Sequence, residues 1–320
     1  MGDDPTLEAA PFYADIADGP QGGHAVWLKT EDGLRIRMSV WDGQNSGANK
    51  GTVLIFPGRT EYIEKYGRAA GMLAERGYSS IAVDWRGQGL GERMLEDRAL
   101  GHVEKFSDYQ YDVAAVLSAV KSMGLPDPIY LFAHSMGGCI GLRALMEDLP
   151  VRAAMFTGPM WDILLPQWRR TVGWVFTSFS RKVGLDGNLA PGSLRTSYVE
   201  ANPFQNNMLT SDPDMFEYMR DQLNKYPDLG LGGPSNAWVH EALKECRSLK
   251  LRPTPSVPTL VFLGTNERIV EPAAIKERMA RWPNGKLVLV DGAEHEVAME
   301  TPAIQASVFD QTAAHFAAHS

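Results

Sequence analysis

Ser135, His295 and Glu267 are residues whose types, taken together, could run an acyl transfer. Ser135 stands in "AHSMGG" (133–138), between the apolar run "IYLFA" and a helical pattern. A serine on a tight strand-to-helix turn exposes its hydroxyl, and the turn demands small residues two before and two after it. Ala133 and Gly137 meet that demand. The same turn puts the Met136 backbone N–H at a helix N-terminus, aimed where an oxyanion would form. A serine at a helix start is also an ordinary N-cap, so the pattern needs a base and an acid beside it.

Of the seven histidines, His295 has the best context. It lies in "DGAEHE" (291–296), past the last strand-like run and before the last helical one, and so at the carboxyl end of a sheet where open α/β folds bind ligands. A base there could take the Ser135 proton and return it to the leaving group. His134 neighbours the serine, but adjacent residues on such a turn point apart. Glu267, in "GTNERIV" (264–270), follows the preceding strand-like run and completes the chain order serine, acid, histidine. Its rivals for the orienting acid are Asp291, Glu294 and Glu296, whose side chains would have to fold back on a ring close by in sequence. Asp84 is expected to order its own loop, for example with Arg86. A second oxyanion donor is expected after "TVLIF", where "PGRTEYIEKY" (57–66) turns into a helix: Gly58 lets the backbone bend, and Arg59 offers its N–H. The Arg59 side chain is expected to pair with Glu61 or Glu64.

The elements that would position these residues are legible as a rhythm. "AVWLKT" and "LRIRMSVW" alternate around "EDG", a hairpin signal. "TVLIF", "SSIAVD", "IYLFA", "VRAAMF", "TLVFL" and "KLVLV" are nearly continuous apolar runs, as parallel strands covered on both faces should be. Helical patterns occupy 61–76, 107–123, 135–148 and 301–319. The expected fold is α/β: one mainly parallel central sheet of about eight strands with helices on both faces. The rhythm breaks at 159–250, a strandless stretch rich in Trp, Met, Pro and Asn, taken as a helical insertion; the core is then 1–158 and 251–320. Within the insertion, Trp168, Val172, Val175, Phe176 and Phe179 share a helix face expected to pack inward, with Trp174 on the other side.

The bulk numbers exclude several classes. A net charge of −8 leaves no basic excess for nucleic acid. The two cysteines, Cys139 and Cys246, have no metal-ligand spacing. No apolar stretch is long enough to span a membrane, the start lacks a signal-peptide pattern, and a cytoplasmic enzyme is the expectation.

Taken jointly, "PGRTEYIEKY", "VDWRGQGLG" (83–91), "AHSMGG", "GTNERIV" and "DGAEHE" resemble the α/β-hydrolase superfamily, and within it the lysophospholipase and monoacylglycerol-lipase group. The stretches "NMLTSDPDMFEYMRD" and "LGGPSNAWVHEAL", within 207–243, resemble that group's cap, or lid. Many relatives have His-Gly where Pro57-Gly58 stands, and Asp where Glu267 stands. The resemblance implies a serine hydrolase of single-chain acyl esters, such as a lysolipid, with Ser135, Glu267 and His295 as catalytic triad. It implies Arg59 and Met136 as oxyanion donors, and no metal or organic cofactor. The cap would cover the site with an apolar channel, and Trp174 would touch lipid surfaces. The competing expectations are a soluble carboxylesterase or thioesterase for small acyl groups, and a catalytically silent hydrolase-fold binding protein.

Overall fold

The computed structural model describes residues 7–43 and 49–320, apart from the side chains of 167–172 and 175. Its strands are β1 (Ala9–Ala10), β2 (His24–Lys29), β3 (Arg35–Trp41), β4 (Thr52–Phe56), β5 (Ser79–Asp84), β6 (Ile129–His134), β7 (Ala154–Thr157), β8 (Thr259–Gly264) and β9 (Gly285–Val290). Its helices are α1 (Ala14–Ala17), α2 (Gly67–Glu75), α3 (Tyr109–Ser122), α4 (Ser135–Met146), α5 (Gln167–Lys182), α6 (Tyr198–Ala201), α7 (Pro213–Lys225), α8 (Asn236–Leu251), α9 (Pro272–Met279) and α10 (Pro302–Ala317). The strands form one sheet in the order β1-β2-β3-β5-β4-β6-β7-β8-β9. From β5 through β9 every neighbouring pair is parallel, and the β2–β3 hairpin joins β5 antiparallel. The ninth strand, the two-residue β1, is too short to leave a period in the sequence.

The apolar runs are continuous because side chains alternate between two buried faces. Leu54 and Phe56 of β4 and Val261 and Leu263 of β8 pack on one side with α3, α4 and α8. Val53, Ile55, Leu260 and Phe262 pack on the other with α2 and α10. Among the described residues, the regular elements between β7 and β8 are the helices α5 to α8 and a 3-10 turn at Pro227–Leu229.

The expected helix at 61–76 is broken up. Tyr62 is extended (φ −145°, ψ 163°), Ile63–Tyr66 make a 3-10 turn, and α2 starts only at Gly67. The cause is Asp84: its Oδ1 takes the Ile63 N–H at 2.8 Å and its Oδ2 the Leu90 N–H at 2.8 Å. Asp84 pairs with Arg37 (Nε–Oδ2 2.7 Å), not with Arg86, whose guanidinium goes to Asp32 and Asp112. Arg37 also holds Glu64, and this triad is fully buried. Removing Arg37 would strand carboxylates in the core, at a cost of about 3–5 kcal/mol.

The α5 face also differs from expectation. Phe176 and Phe179 are 42% and 61% exposed. Trp174 turns inward onto α8, with its ring 4.9 Å from that of His240 and the Arg247 guanidinium over it. Trp168, Val172 and Val175, which completed the expected face, lie outside the described side chains. Among the described residues α5 packs chiefly on α8, and Thr177 and Ser180 take the side toward it.

Candidate active site

The loops after β4, β6, β7, β8 and β9 meet at one edge of the sheet. Ser135 starts α4 with φ +49°, a left-handed conformation that costs a non-glycine residue roughly 1–2 kcal/mol. The helix behind the turn lies so close to β4 that a Cβ on Gly137 would overlap the Phe56 carbonyl oxygen. The serine is thereby held at the mouth of a cavity of about 510 Å³ that is also lined by Arg59 and His295. Ser135 Oγ makes no hydrogen bond to another described residue. Hydrogen bonds between a nucleophile and its base are often long in a free site and tighten on binding.

His295 is 3% exposed. Its Nδ1 lies 2.7 Å from Glu267 Oε2, a spacing that fixes the N–H on Nδ1 and leaves Nε2 free to accept a proton. The other oxygen of Glu267 accepts the N–H groups of Ile269 (2.7 Å) and Val270 (3.0 Å). Burial works to raise the Glu267 pKa, but the His295 contact and the two N–H donors outweigh it, and the carboxyl is held below its usual range. Gly158, after β7 and at φ +46°, passes directly beneath: a Cβ there would sit 3.0 Å from Nδ1 and 3.2 Å from Glu267 Oε2. Nothing in "FTGPM" announces this role.

The rival acids are engaged elsewhere. Asp291 meets Thr265 Oγ1 at 3.4 Å, and Glu294 takes Arg268 at 3.0 Å. Glu296 reaches Lys65 Nζ at 2.6 Å and His134 Nε2 at 3.3 Å. Lys65 also binds Glu61, whose other oxygen accepts from Tyr66 OH (2.5 Å) and the Gly58 N–H. His134, set aside in the sequence, is the fourth member; its Nδ1 meets Thr157 O at 3.0 Å and its ring centroid lies 4.8 Å from that of His295. Burial opposes the charged imidazole, yet Glu296 and Glu61 raise the His134 pKa. Burial likewise opposes the Glu296 carboxylate, but His134 and Lys65 hold it well below its usual range. Lys65 and His134 thus face Glu61 and Glu296 within one buried cluster beside His295. Glu61, His134 and Glu296 converge closely enough to suggest metal ligands, but the Lys65 ammonium already occupies the cationic position among them. The i,i+4 spacing of Glu61 and Lys65 was the available sequence signal.

The β4 loop is clamped from behind. Trp85 Nε1 donates to Pro57 O (2.9 Å), and Gln88 Nε2 donates to Gly58 O (2.8 Å) and Glu61 O (3.0 Å). With these carbonyls turned away, the Arg59 N–H is left without a partner among the described residues. Met136 N–H belongs to the first turn of α4, where amides have no intrahelical acceptor. The Arg59 side chain does not pair with Glu61 or Glu64, which are taken by Lys65 and Arg37; it runs along the cavity wall to Gly232 O (2.6 Å).

A sheet of this order, with a serine on a strained strand-to-helix turn and a carboxylate–histidine pair on the last two strand ends, is the architecture of an α/β-hydrolase. The chain belongs to the family described as serine aminopeptidase, S33, whose model matches residues 47–302. It is 30% identical over 270 residues to lysophospholipase L2 of Escherichia coli, covering 79% of this chain and 76% of that one. It is 27% identical over 267 residues to a probable lysophospholipase L2 of Haemophilus influenzae, covering 83% of each. Among solved structures, a soluble variant of monoglyceride lipase from Saccharomyces cerevisiae superposes with a TM-score of 0.71 at 20% identity, over 92% of this chain and 94% of that one.

Proposed function

We propose that the protein is a serine hydrolase of single-chain lipid esters, working through an acyl-enzyme. The observation that carries this is the Glu267–His295 hydrogen bond, with His295 and Ser135 both lining one largely apolar cavity. Ser135 Oγ attacks the ester carbonyl while His295 Nε2 takes its proton. The oxyanion is held by the Arg59 and Met136 N–H groups. His295 then protonates the departing alcohol, and water, activated by the same nitrogen, releases the fatty acid. Glu267 keeps the imidazole in the required tautomer. Tyr62, Met208, Leu209, Met219 and Leu223 give the cavity a wall suited to an alkyl chain. We take residues 159–250, which supply most of that wall, as the cap. Relatives named lysophospholipase support the lipid substrate.

The family's description names a peptidase, but an aminopeptidase must hold a free α-ammonium. The buried carboxylates of the cavity, Glu61 and Glu296, are already engaged by Lys65 and His134. Membrane contact, expected at Trp174, is better served by Phe176, Phe179, Val183 and Leu185, all exposed on or just after α5. Among the described residues no helix is long and apolar enough to cross a membrane. Two buried, unpaired cysteines fit a reducing cytoplasm as the working compartment.

The test is hydrolysis of a lipid extract followed by mass spectrometry, comparing wild type with Ser135→Ala. Loss of single-chain acyl esters with wild type alone is the expected result. A steep preference for short-chain p-nitrophenyl esters would instead make the protein a carboxylesterase. A wild type that a fluorophosphonate probe does not label would make it a silent binding protein.

A further inference from the structure

Arg59 carries its charge into the cavity without a counter-ion among the described residues. Its Nη2 donates to Gly232 O at 2.6 Å, while its Nε is buried and has no partner among the described residues. The guanidinium carbon stands 5.2 Å from the Trp238 ring centroid, and Gly101 leaves the room it occupies. Burial lowers its pKa to about 10, and no carboxylate acts to restore it. Arg37, Arg86 and Arg143 are each locked to carboxylates; Arg93 and Arg278 also have an unpartnered buried donor, but neither lines this cavity. A desolvated cation with a free donor is costly unless something anionic arrives to meet it. The wall beside it adds the hydroxyls of Ser193 and Thr196, neither committed to another described residue.

The position matters as much as the charge. The Arg59 N–H faces the oxyanion, so the side chain starts at the scissile carbonyl and extends away along the cavity. Its length is close to that of the glycerol that separates the ester of a lysophospholipid from its phosphate. Planar guanidinium groups with free N–H donors suit phosphate oxygens. The alkyl-lined wall described above is a separate set of residues, contributed mainly by α7 and the segment before it.

We propose that the Arg59 side chain is the headgroup-recognition residue of this site: it binds the phosphate of a glycerophospholipid headgroup and makes a lysophospholipid, not a neutral monoacylglycerol, the preferred substrate. This rests on the lipid-ester reading above and deepens it.

The experiment compares 1-oleoyl-lysophosphatidylglycerol with 1-oleoylglycerol in neutral detergent micelles, for wild type, Arg59→Met and Arg59→Lys, with thermal unfolding of each. Wild type is expected to favour the phosphate-bearing ester. Arg59→Met should lose about tenfold to a hundredfold more kcat/KM on that ester than on the neutral one, as expected for a lost charge-assisted hydrogen bond. Arg59→Lys, which retains charge but not the planar fork, should fall between. Glycerol 3-phosphate should inhibit wild type competitively and Arg59→Met much less. An equal fall on both substrates in both variants would show a merely structural side chain and overturn the proposal. So would inhibition by inorganic phosphate equal to that by glycerol 3-phosphate without any lipid preference, which would mark a free-anion site. Turnover of neither lipid by wild type would remove the lipid-ester reading itself, whereas turnover of both with no selective Arg59 effect removes this inference alone.

Discussion

Replacing Glu267 by glutamine keeps its size but removes its negative charge and the ability to accept hydrogen bonds at both terminal atoms. In the native site those oxygens accept from Ile269, Val270 and His295 Nδ1. An amide can satisfy this set in two orientations. With its oxygen toward Ile269 and Val270, its NH₂ faces His295 and forces Nδ1 to become the acceptor. The ring proton then moves to Nε2, where it blocks removal of the Ser135 proton. The flipped orientation keeps the native tautomer but sets the NH₂ against two backbone donors, leaving both unpaired at about 1–3 kcal/mol each. The first orientation therefore wins by about 2–6 kcal/mol, and the variant carries the wrong tautomer. A carboxylate-to-amide change of this kind costs about 10⁴ in turnover, or roughly 5 kcal/mol. The assay is steady-state hydrolysis of a p-nitrophenyl acyl ester, with thermal unfolding to show that the fold persists. Turnover by a folded Glu267→Gln protein within about tenfold of wild type would refute the assignment of Glu267 as the orienting acid.

Two further outcomes are expected. Gly137→Ala would drive a methyl group into the Phe56 carbonyl; the β4–α4 contact must open, and both the melting temperature and acyl-enzyme formation should fall. For His134 the folded pKa lies above the ordinary 6.5. Its contribution is thus complete below pH 6.5 and is lost as pH rises through the folded value. Chemical denaturation across pH 6 to 10 should show wild type losing stability on the alkaline side, and His134→Gln should lack that component; parallel curves would refute it.

The sheet was legible because strands buried on both faces spell continuous apolar runs, and a two-residue edge strand such as β1 spells nothing. The site could be approached from sequence because Ser135, Glu267 and His295 sit at strand ends, where local pattern alone places them near one sheet edge. Pairings across the chain were not legible. Asp84 meets Arg37 and not its neighbour Arg86, and Lys65 meets Glu296, because these choices are made by packing between distant segments. The α5 face failed for a related reason. An apolar stripe shows that a helix is amphipathic but not which side its neighbour covers, and Phe176 and Phe179 ended outside. Gly158 was invisible because its importance lies in the atoms that approach it.

The clamp behind the β4 loop bears on how this enzyme could be altered. Trp85 and Gln88, from the segment after β5, hold the carbonyls of Pro57, Gly58 and Glu61. Two stretches separated in the chain thus form one heritable part. Chimeras that import the loop at 57–61 from a relative should work only when the donor's "DWRGQ" segment travels with it. Recombination points between residues 62 and 84 would separate the two, and crossovers there should be under-represented among active hybrids.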